Sequence, residues 1–281
     1  MRAKILGGIM LGVMAANGFA AENQIFSHRV GRFEVHMLVE TQGPGNPAIL
    51  INPDKAALEK YLPGGSFTSA VNTFVVKTAN QIIVVDTGFG GAIFSSLQTL
   101  GIDPARVDAV LLTHMHGDHI NGLQKDGRAL FPNATVYLAQ QEKDHWVKPG
   151  SPAAAALAPY GSRVKTFRPA ELDAPTEDLL PGIKAIASFG HTPGHTSYLL
   201  ESEGKQLIIW GDLMHVQPVQ FPLPDQSVSY DTDPAAAAAT RRRFLAYAAR
   251  SGAAIGGMHL AYPAVGTVAA EGDGYRFTPE R

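Results

Sequence analysis

The sequence contains no cysteine, so no disulfide can stabilise the fold and no thiolate can bind a metal. Charged residues are also scarce: they make up 17% of the 281 residues, and the formal net charge is −2. A weakly acidic chain without a basic stripe binds nucleic acid poorly, so we expect no nucleic-acid partner. Hydrophobic residues make up 45% of the chain, which is enough for one sizeable globular core.

No apolar run after the N-terminus is long enough to span a membrane. The N-terminus resembles a secretory signal peptide, with a basic start, an apolar run over residues 5–16, and small residues for cleavage after Ala20 or Ala21. An uncleaved membrane anchor is the alternative. We therefore expect residues 1–21 to be a signal peptide and residues 22–281 to form the domain of a periplasmic or secreted protein, free of the membrane after cleavage. Loss of Arg2 and Lys4 would change the net charge from −2 to −4, two positive charges fewer.

Strand and helix patterns are mixed along the chain, which predicts an α/β (α+β) fold. Strands are predicted at 33–40, 71–77, 81–85, 107–112, 135–138, 183–188, 197–201 and 206–210, and helices at 54–61, 92–100, 140–146 and from Asp233 to Gly252. The Pro/Ala-rich stretch 149–159 favours a surface excursion, and the run Arg241-Arg242-Arg243 favours a solvated helix face. Side chains that could bind metal follow several strand ends, so they can converge at one edge of a layered sheet.

The densest group of such side chains is Thr113-His114-Met115-His116-Gly117-Asp118-His119, directly after the apolar run 107–112. Imidazole and carboxylate groups bind zinc, manganese, iron or cobalt when no thiolate is offered. A surface histidine cluster is the alternative, but four potential ligands at this spacing favour a metal site.

Seven side chains divide into two metal sites with one shared ligand. His114, His116 and His195 would bind one ion, Asp118, His119 and His259 the second, and Asp212 would bridge both. In the motif Gly190-His191-Thr192-Pro193-Gly194-His195 we favour His195 as the ligand and His191 as a supporting group. Two ions at roughly 3.5–4 Å can share a hydroxide, which forms near neutral pH because metal binding lowers the pKa of water to roughly 7.

These motifs, together with Trp210-Gly211-Asp212, resemble the metallo-β-lactamase-fold hydrolases over nearly all of the chain after residue 21. Further segments are similar to the methyl parathion hydrolase-like branch: 72–74, 131–136, 219–222, 230–234, 240–241 and 259–263. The resemblance implies a four-layer αββα sandwich with two divalent metals at one edge. It also implies an exported and often dimeric hydrolase of lactones or aryl esters, with organophosphate triesters as further substrates.

The resemblance carries the same seven metal ligands over to this chain and gives Asp86 a supporting role beside them. Many relatives that cleave β-lactams have Cys or Ser where Asp212 stands, which argues against that substrate. Acyl-homoserine lactonases often have Tyr three residues after the bridging Asp, where this chain has His215. We therefore expect a small neutral ester or lactone as substrate, with Asp118, Asp212 and His215 taking part in catalysis.

Large apolar residues near the motifs are candidates for a substrate pocket: Phe89, Met115, Trp146, Phe221 and Tyr262. Two other functions stay open from the sequence. One is a β-lactamase or a glyoxalase II-type thioesterase, and the other is a non-catalytic exported metal-binding protein.

Overall fold

The computed structural model describes residues 24–174 and 177–281. Residues 1–21 lie outside these ranges, so the signal peptide stays a prediction. Two β-sheets pack face to face around one core, and helices cover them. No helix in the described ranges combines the length and the apolar character needed to cross a bilayer.

The first sheet has seven strands in the order β1-β2-β3-β4-β5-β8-β9. They are β1 Ile25–Val30, β2 Phe33–Pro44, β3 Thr68–Lys77, β4 Ile82–Val85, β5 Ala109–Leu111, β8 Thr135–Ala139 and β9 Val164–Phe167. The strands β1 to β4 pair antiparallel, whereas β4, β5, β8 and β9 pair parallel.

The second sheet has six strands: β10 Ile183–Ala187, β11 Thr196–Ser202, β12 Lys205–Ile209, β13 Ala254–Gly256, β14 Val265–Glu271 and β15 Gly274–Pro279. Only β12 and β13 pair parallel in this sheet, within the described residues. A separate short ribbon joins β6 Gln124–Lys125 to β7 Arg128–Ala129.

Seven α-helices connect these strands within the described ranges. They are α1 Lys55–Tyr61, α2 Ala92–Thr99, α3 Gly117–Ile120, α4 Gln140–Trp146, α5 Pro152–Leu157, α6 Gln217–Gln220 and α7 Pro234–Ser251. Short 3-10 helices occupy Pro47–Ile49, Pro104–Arg106, Asn121–Leu123 and Ala158–Arg163.

Side chains of the first sheet alternate between two cores, as the two-residue period of a strand requires. In β4, Ile83 and Val85 join the core shared with the second sheet, whereas Val84 joins a separate core that α2 and α5 close. Burying each such side chain stabilises the fold by roughly 1.5–3 kcal/mol, which fixes the strand register. Helix α7 packs on the second sheet at β14. The mixed α/β class is confirmed.

The predicted helix after Asp233 is confirmed as α7. The Asp233 carboxylate accepts a hydrogen bond from the backbone N–H of Ala236, and Gly252 ends the helix at φ 71°. The prediction for stretch 149–159 is wrong, because it contains α5. Ser151 caps this helix, and Ala153, Ala156 and Leu157 are spaced so that one face of it is buried.

The prediction of a solvated arginine run is wrong for one of its three members. Arg242 and Arg243 are partly exposed, but Arg241 is only 1% exposed. The helical period turns Arg241 toward the protein interior, on the same face as the buried Ala237, Ala238 and Leu245. Its partners are carbonyl groups and a carboxylate that come from other parts of the chain.

Candidate metal centre

The segments that carry the predicted ligands leave their strands at one edge of the sandwich. The strands β10, β12 and β13 run in the same direction, so their C-terminal ends lie together. The loop after β5, residues 113–119, meets this edge from the first sheet. A backbone hydrogen bond of 2.9 Å from Thr196 N to Thr113 O joins the two sheets there.

Three groups of side chains bring their ligand atoms within 4.8 Å of one another. They are His114, His116, His191 and Asp212; then Asp118, His119 and His259; and then Asp212, His215 and His259. Asp212 belongs to two of the groups, and its Oδ1 lies 3.3 Å from His119 Nε2 while its Oδ2 lies 3.0 Å from His259 Nε2. The structure therefore brings together six of the seven predicted ligands, with Asp212 between them.

For the seventh predicted ligand, His195, the structure corrects the prediction. Its Nε2 accepts a hydrogen bond of 2.9 Å from the backbone N–H of Asp212, and its Nδ1 lies 2.9 Å from the backbone oxygen of Ser188. Both ring nitrogens are used, so His195 braces the turn that carries Asp212. His191, which we expected to be a supporting group, has its Nε2 3.1 Å from His116 Nδ1 and 3.3 Å from Asp212 Oδ2. His191 therefore takes the ligand position.

Hydrogen bonds on the far side of each imidazole determine which nitrogen faces the centre. Nδ1–H of His119 donates to Asp86 Oδ2 at 2.7 Å, that of His191 to Asp231 Oδ1 at 3.0 Å, and that of His259 to the carbonyl oxygen of Ala70 at 2.8 Å. In all three residues, Nε2 therefore faces the cluster, where a bound cation would take the place of a proton on that nitrogen. These tautomers follow from the hydrogen-bond network.

The Asp86 side chain has the contacts expected of a supporting group. Besides His119, it accepts hydrogen bonds from the backbone N–H and the hydroxyl of Thr113, at 2.8 and 2.6 Å. Because the Thr113 hydroxyl donates its hydrogen to Asp86, its oxygen can accept from Nδ1–H of His114 at 3.0 Å. One buried carboxylate thus orients two of the imidazoles.

Two close approaches hold the ligand loops together. The Glu142 carboxylate accepts hydrogen bonds from Met115 N at 3.0 Å, Thr192 Oγ1 at 2.8 Å and Gly194 N at 2.9 Å, so it bridges the loops of His116 and His191. Gly211 has φ 60°, and a Cβ there would lie 2.5 Å from His195 Nε2 and 3.0 Å from Thr113 Cβ. Only glycine fits this seam between the sheets.

The donor set fits divalent cations. Among the described residues, His119 Nε2, Asp212 Oδ1 and His215 Nδ1 are buried and have no hydrogen-bond partner. An unsatisfied buried polar atom costs about 1–3 kcal/mol, and a bound cation would satisfy the first two of these atoms. Imidazole and carboxylate donors without thiolate suit zinc, manganese, cobalt and iron alike, so the set does not select one metal.

Burial and the neighbouring charged groups together set the pKa values of the imidazoles in the centre. Burial lowers the pKa of His116 to about 4, and the neighbouring His191 adds to that effect. Burial also opposes protonation of His191, but hydrogen bonds to Asp212 and Asp231 outweigh it and raise its pKa to about 9. Burial disfavours the charged form of Asp212 as well, yet the neighbouring imidazoles of His119, His259 and His114 hold its pKa well below the usual range. Asp212 is therefore ionised and attracts a cation.

A cavity of about 850 Å³ opens above the cluster. The cluster residues that line it are His116, Asp118, Asp212, His215 and His259. The walls come from residues 41–46 at the end of β2 and from the aromatic residues Phe67, Phe89 and Tyr230. His215 is 5% exposed, and its Nε2 lies 3.3 Å from Asp212 Oδ2, so it reaches from the wall to the shared carboxylate.

Only one of the five predicted pocket residues lines this cavity. Phe89 does, and it is 50% exposed. Met115 and Phe221 are 3% exposed and belong to the two cores, and the Trp146 ring packs on His116 at 5.3 Å without facing the cavity. Tyr262 is exposed outside the cavity, and its ring contacts Phe26. The structure places these four residues outside the cavity lining, because nearness in sequence to a motif does not set the direction of a side chain.

Sequence reasoning also missed several residues of the site. Glu142 lies at least 23 residues from the motifs that it supports, and Asp231 at least 36 residues. Neither residue stands in a sequence motif that would have indicated its role. Phe67 and Tyr230 reach the cavity through loops of irregular structure. His191 did carry a signal, since it stands in the same six-residue motif as His195.

A two-sheet sandwich with His/Asp groups gathered at one edge defines a metal-dependent hydrolase class, and comparisons with known proteins agree. The solved structure of hydrolase AbOPH in the β-lactamase superfamily has a TM-score of 0.82 and 30% identity, over 92% of this chain and 97% of that chain. AidC, a dizinc quorum-quenching lactonase solved with N-hexanoyl-L-homoserine, has a TM-score of 0.82 and 25% identity, over 92% of this chain and 98% of that chain.

Curated relatives match over shorter stretches. The uncharacterized protein YobT of Bacillus subtilis is 28% identical over 52% of this chain and 63% of its own length. An atrochrysone carboxyl ACP thioesterase of Passalora fulva is 31% identical over 50% of this chain. The chain spans only 37% of that thioesterase.

The family model of the metallo-beta-lactamase superfamily matches residues 67–259, which include every ligand described above. The chain belongs to the metallo-β-lactamase superfamily.

Proposed function

We propose that this protein is a dinuclear metal-dependent hydrolase of lactones and aryl esters, with neutral organophosphate triesters as further substrates. The observation that carries the proposal is Asp212, a buried carboxylate that lies between two His/Asp groups at the floor of an open cavity. A carboxylate in this position suits two cations that act on one substrate group.

Each group of side chains would hold one cation. His114, His116 and His191 would bind the first, and Asp118, His119 and His259 the second, with Asp212 shared. We propose zinc, while manganese, cobalt and iron suit the same donors. When bound, the two cations supply a nucleophilic oxygen at neutral pH and polarise the ester carbonyl.

Two further side chains are proposed to act on the substrate itself. The Asp118 side chain is 23% exposed and lines the cavity, so it can take a proton from the nucleophile and carry it to the leaving group. His215 lines the same cavity, and burial lowers its pKa to about 4, so it is neutral at pH 7. A neutral imidazole there can hydrogen-bond the substrate without adding charge.

The charges of the cavity favour an uncharged substrate. Within the described part of the chain, no Lys or Arg lines it, and its ionisable side chains are those of His, Asp and Tyr230. A β-lactam or a glutathione thioester carries a carboxylate, which would find no cationic side chain there. The cavity volume of about 850 Å³ is in the range of sites that take drug-sized ligands.

A thioesterase is the second candidate, because several curated relatives are named as thioesterases. The two functions share the metal centre and differ in the leaving group. We further propose that the protein is exported to the periplasm or secreted, as its first 21 residues predict, and that it forms a homodimer.

A hydrolysis panel tests the proposal: dihydrocoumarin, acyl-homoserine lactones, a paraoxon-type triester, an acyl thioester and nitrocefin, on metal-reconstituted enzyme. We expect turnover of the neutral esters, and loss of that turnover in Asp212→Ala and on chelation. Turnover of the thioester alone would favour the second candidate. Two bound metals without turnover of any substrate would favour a non-catalytic metal-binding protein.

A further inference from the structure

A buried arginine stands behind the metal centre, on the helix α7. Arg241 is 1% exposed, and its guanidinium donates hydrogen bonds to the carbonyl oxygens of Leu213 at 2.5 Å, Pro224 at 2.8 Å and Gln226 at 2.9 Å. All three carbonyls belong to the segment 213–231, which contains α6 and the wall residues His215 and Tyr230. The Arg241 side chain therefore ties three points of this segment to α7.

The same guanidinium also faces a carboxylate. Arg241 Nη2 lies 3.6 Å from Asp231 Oδ2, and both side chains are buried. The other oxygen of Asp231, Oδ1, accepts from Nδ1–H of His191 at 3.0 Å, and Oδ2 also accepts from the backbone N–H of Val228 at 3.1 Å. The contacts thus run without a gap from α7 through Arg241 and Asp231 to His191.

This arrangement mirrors the support of the other group of ligands. Asp86 orients His119 in the group with Asp118 and His259, and Asp231 orients His191 in the group with His114 and His116. Asp86 is held by Thr113, a neutral partner, whereas Asp231 lies beside a cation. Burying two charged groups costs several kcal/mol for each ion, because both lose their hydration. Apolar residues would anchor the helix at lower cost, so anchoring alone does not explain a buried ion pair here.

We propose that Asp231 and Arg241 are a positioning pair, which holds His191 in the orientation for metal binding and fixes the cavity wall that carries His215. Arginine suits this role because its planar group reaches three carbonyls and a carboxylate at once, whereas lysine offers one nitrogen. The pair touches neither the cavity nor a ligand atom, so it acts only through His191 and the wall.

The test compares metal retention in three variants of the reconstituted full-length protein. Asp231→Asn keeps an oxygen that accepts from His191 but removes the negative charge. Arg241→Lys keeps the positive charge but removes the planar guanidinium that reaches several acceptors at once. Arg242→Met is the matched control, because its side chain is the next on α7, is half exposed and pairs with the exposed Asp225. The readouts are the loss of each metal equivalent to a chelator, the unfolding midpoint, and kcat and KM for an ester that the wild type hydrolyses.

We expect Asp231→Asn and Arg241→Lys to weaken the binding of one of the two metal equivalents by about 10–100-fold, with the second equivalent and the control unchanged. We expect kcat to fall with that loss, and Arg241→Lys to raise KM as well, because the wall moves. A lower unfolding midpoint with both equivalents retained as in the wild type would overturn the proposal, since the pair would then be purely structural.

The inference rests on the proposed metal centre but not on the proposed substrate. A wild-type protein that binds no metal would remove the proposed function. A wild type that holds two metals, with variants that hold them equally well, would remove only this inference. Should one variant fail to fold, the other gives the same comparison against Arg242→Met.

Discussion

The two sources of ligands at the metal centre are built differently. The loop 113–119 brings four of them within six residues, and its shape is set by its own short helix and by contacts to Asp86 and Glu142. The remaining ligands come from three separate segments, and each depends on a distant partner. His191 is held by Asp231, the turn of Asp212 by His195, and His259 by the carbonyl of Ala70.

This difference separates two ways of placing a ligand. In the loop, the backbone turn places several side chains together, so one supporting contact serves more than one ligand. In the dispersed set, each ligand needs a partner of its own, and the loss of one partner affects one ligand. The comparison predicts shared effects for changes in the first set and separate effects for changes in the second.

The largest effect is expected at Asp212, the one dispersed ligand that both groups of ligands share. Replacing it with alanine removes the carboxylate shared by both groups, so both metal equivalents should bind more weakly. We expect hydrolysis to fall by at least about 100-fold, beyond the usual effect of losing a supporting residue. Metal analysis and ester turnover measure both effects. Retention of two metals with normal turnover would contradict the shared role of Asp212 and make it an ordinary dispersed residue.

The next effect separates two histidines of one motif. His191→Ala should lose one metal equivalent, because His191 Nε2 faces the cluster. His195→Ala should keep both equivalents but leave the buried N–H of Asp212 without its acceptor, which costs about 1–3 kcal/mol of unfolding free energy. Metal content and chemical denaturation distinguish them. The reverse result would restore the interpretation of His195 as a ligand.

Loss of the carboxylate that supports the loop, Asp86, should have a smaller effect, which both metal equivalents share. Asp86→Asn weakens the orientation of His119 and, through Thr113, of His114, so both metal equivalents should bind about 10–100-fold more weakly. Asp231→Asn, by contrast, should affect one equivalent. Chelator competition on both variants measures the contrast, and equal effects on the two equivalents in both variants would contradict it.

The smallest effect concerns the cavity wall, which includes the aromatic residues Phe89 and Tyr230. Phe89→Ala and Tyr230→Ala should each remove about 1 kcal/mol of contact with an aryl ester, which is roughly fivefold in KM. The matched core variant, Phe221→Ala, should instead lower the unfolding free energy by about 3–5 kcal/mol and leave KM unchanged. Steady-state kinetics and denaturation check both, and a changed KM in folded Phe221→Ala would return that residue to the pocket.

The same contrast explains which parts of the site the sequence could predict. The loop ligands and the strand before them are contiguous, so spacing alone predicted them, and the family resemblance added Asp86, which follows a strand directly. The choice between His191 and His195 depended on whether a ring faces Asp231 or Ser188, and residue spacing does not contain that information. Arg241 was expected in solvent because its partners lie 10–28 residues away in irregular segments.

The cavity was the least predictable part for a related reason. Its wall combines residues 41–46, Phe67 and Tyr230, which meet only after both sheets have packed. Eight of the strands, by contrast, were predicted with shifts of up to four residues at their ends, because their hydrophobic pattern is local. The strands β1, β9, β14 and β15 were not predicted. Burial of Met115 and Phe221 follows from the packing of whole sheets.

Gly211 lies at a junction that does not tolerate substitution, whereas open positions of the cavity wall do. A single methyl group at this position would force His195 and Thr113 apart and thereby separate the two ligand sets. In the wall above the cluster, an added Cβ at Gly43 would meet nothing within 4 Å, whereas one at Gly45 would lie 2.3 Å from the Phe67 ring. New substrate preferences are therefore expected to arise by substitution around the rim, while the junction beneath it stays as it is.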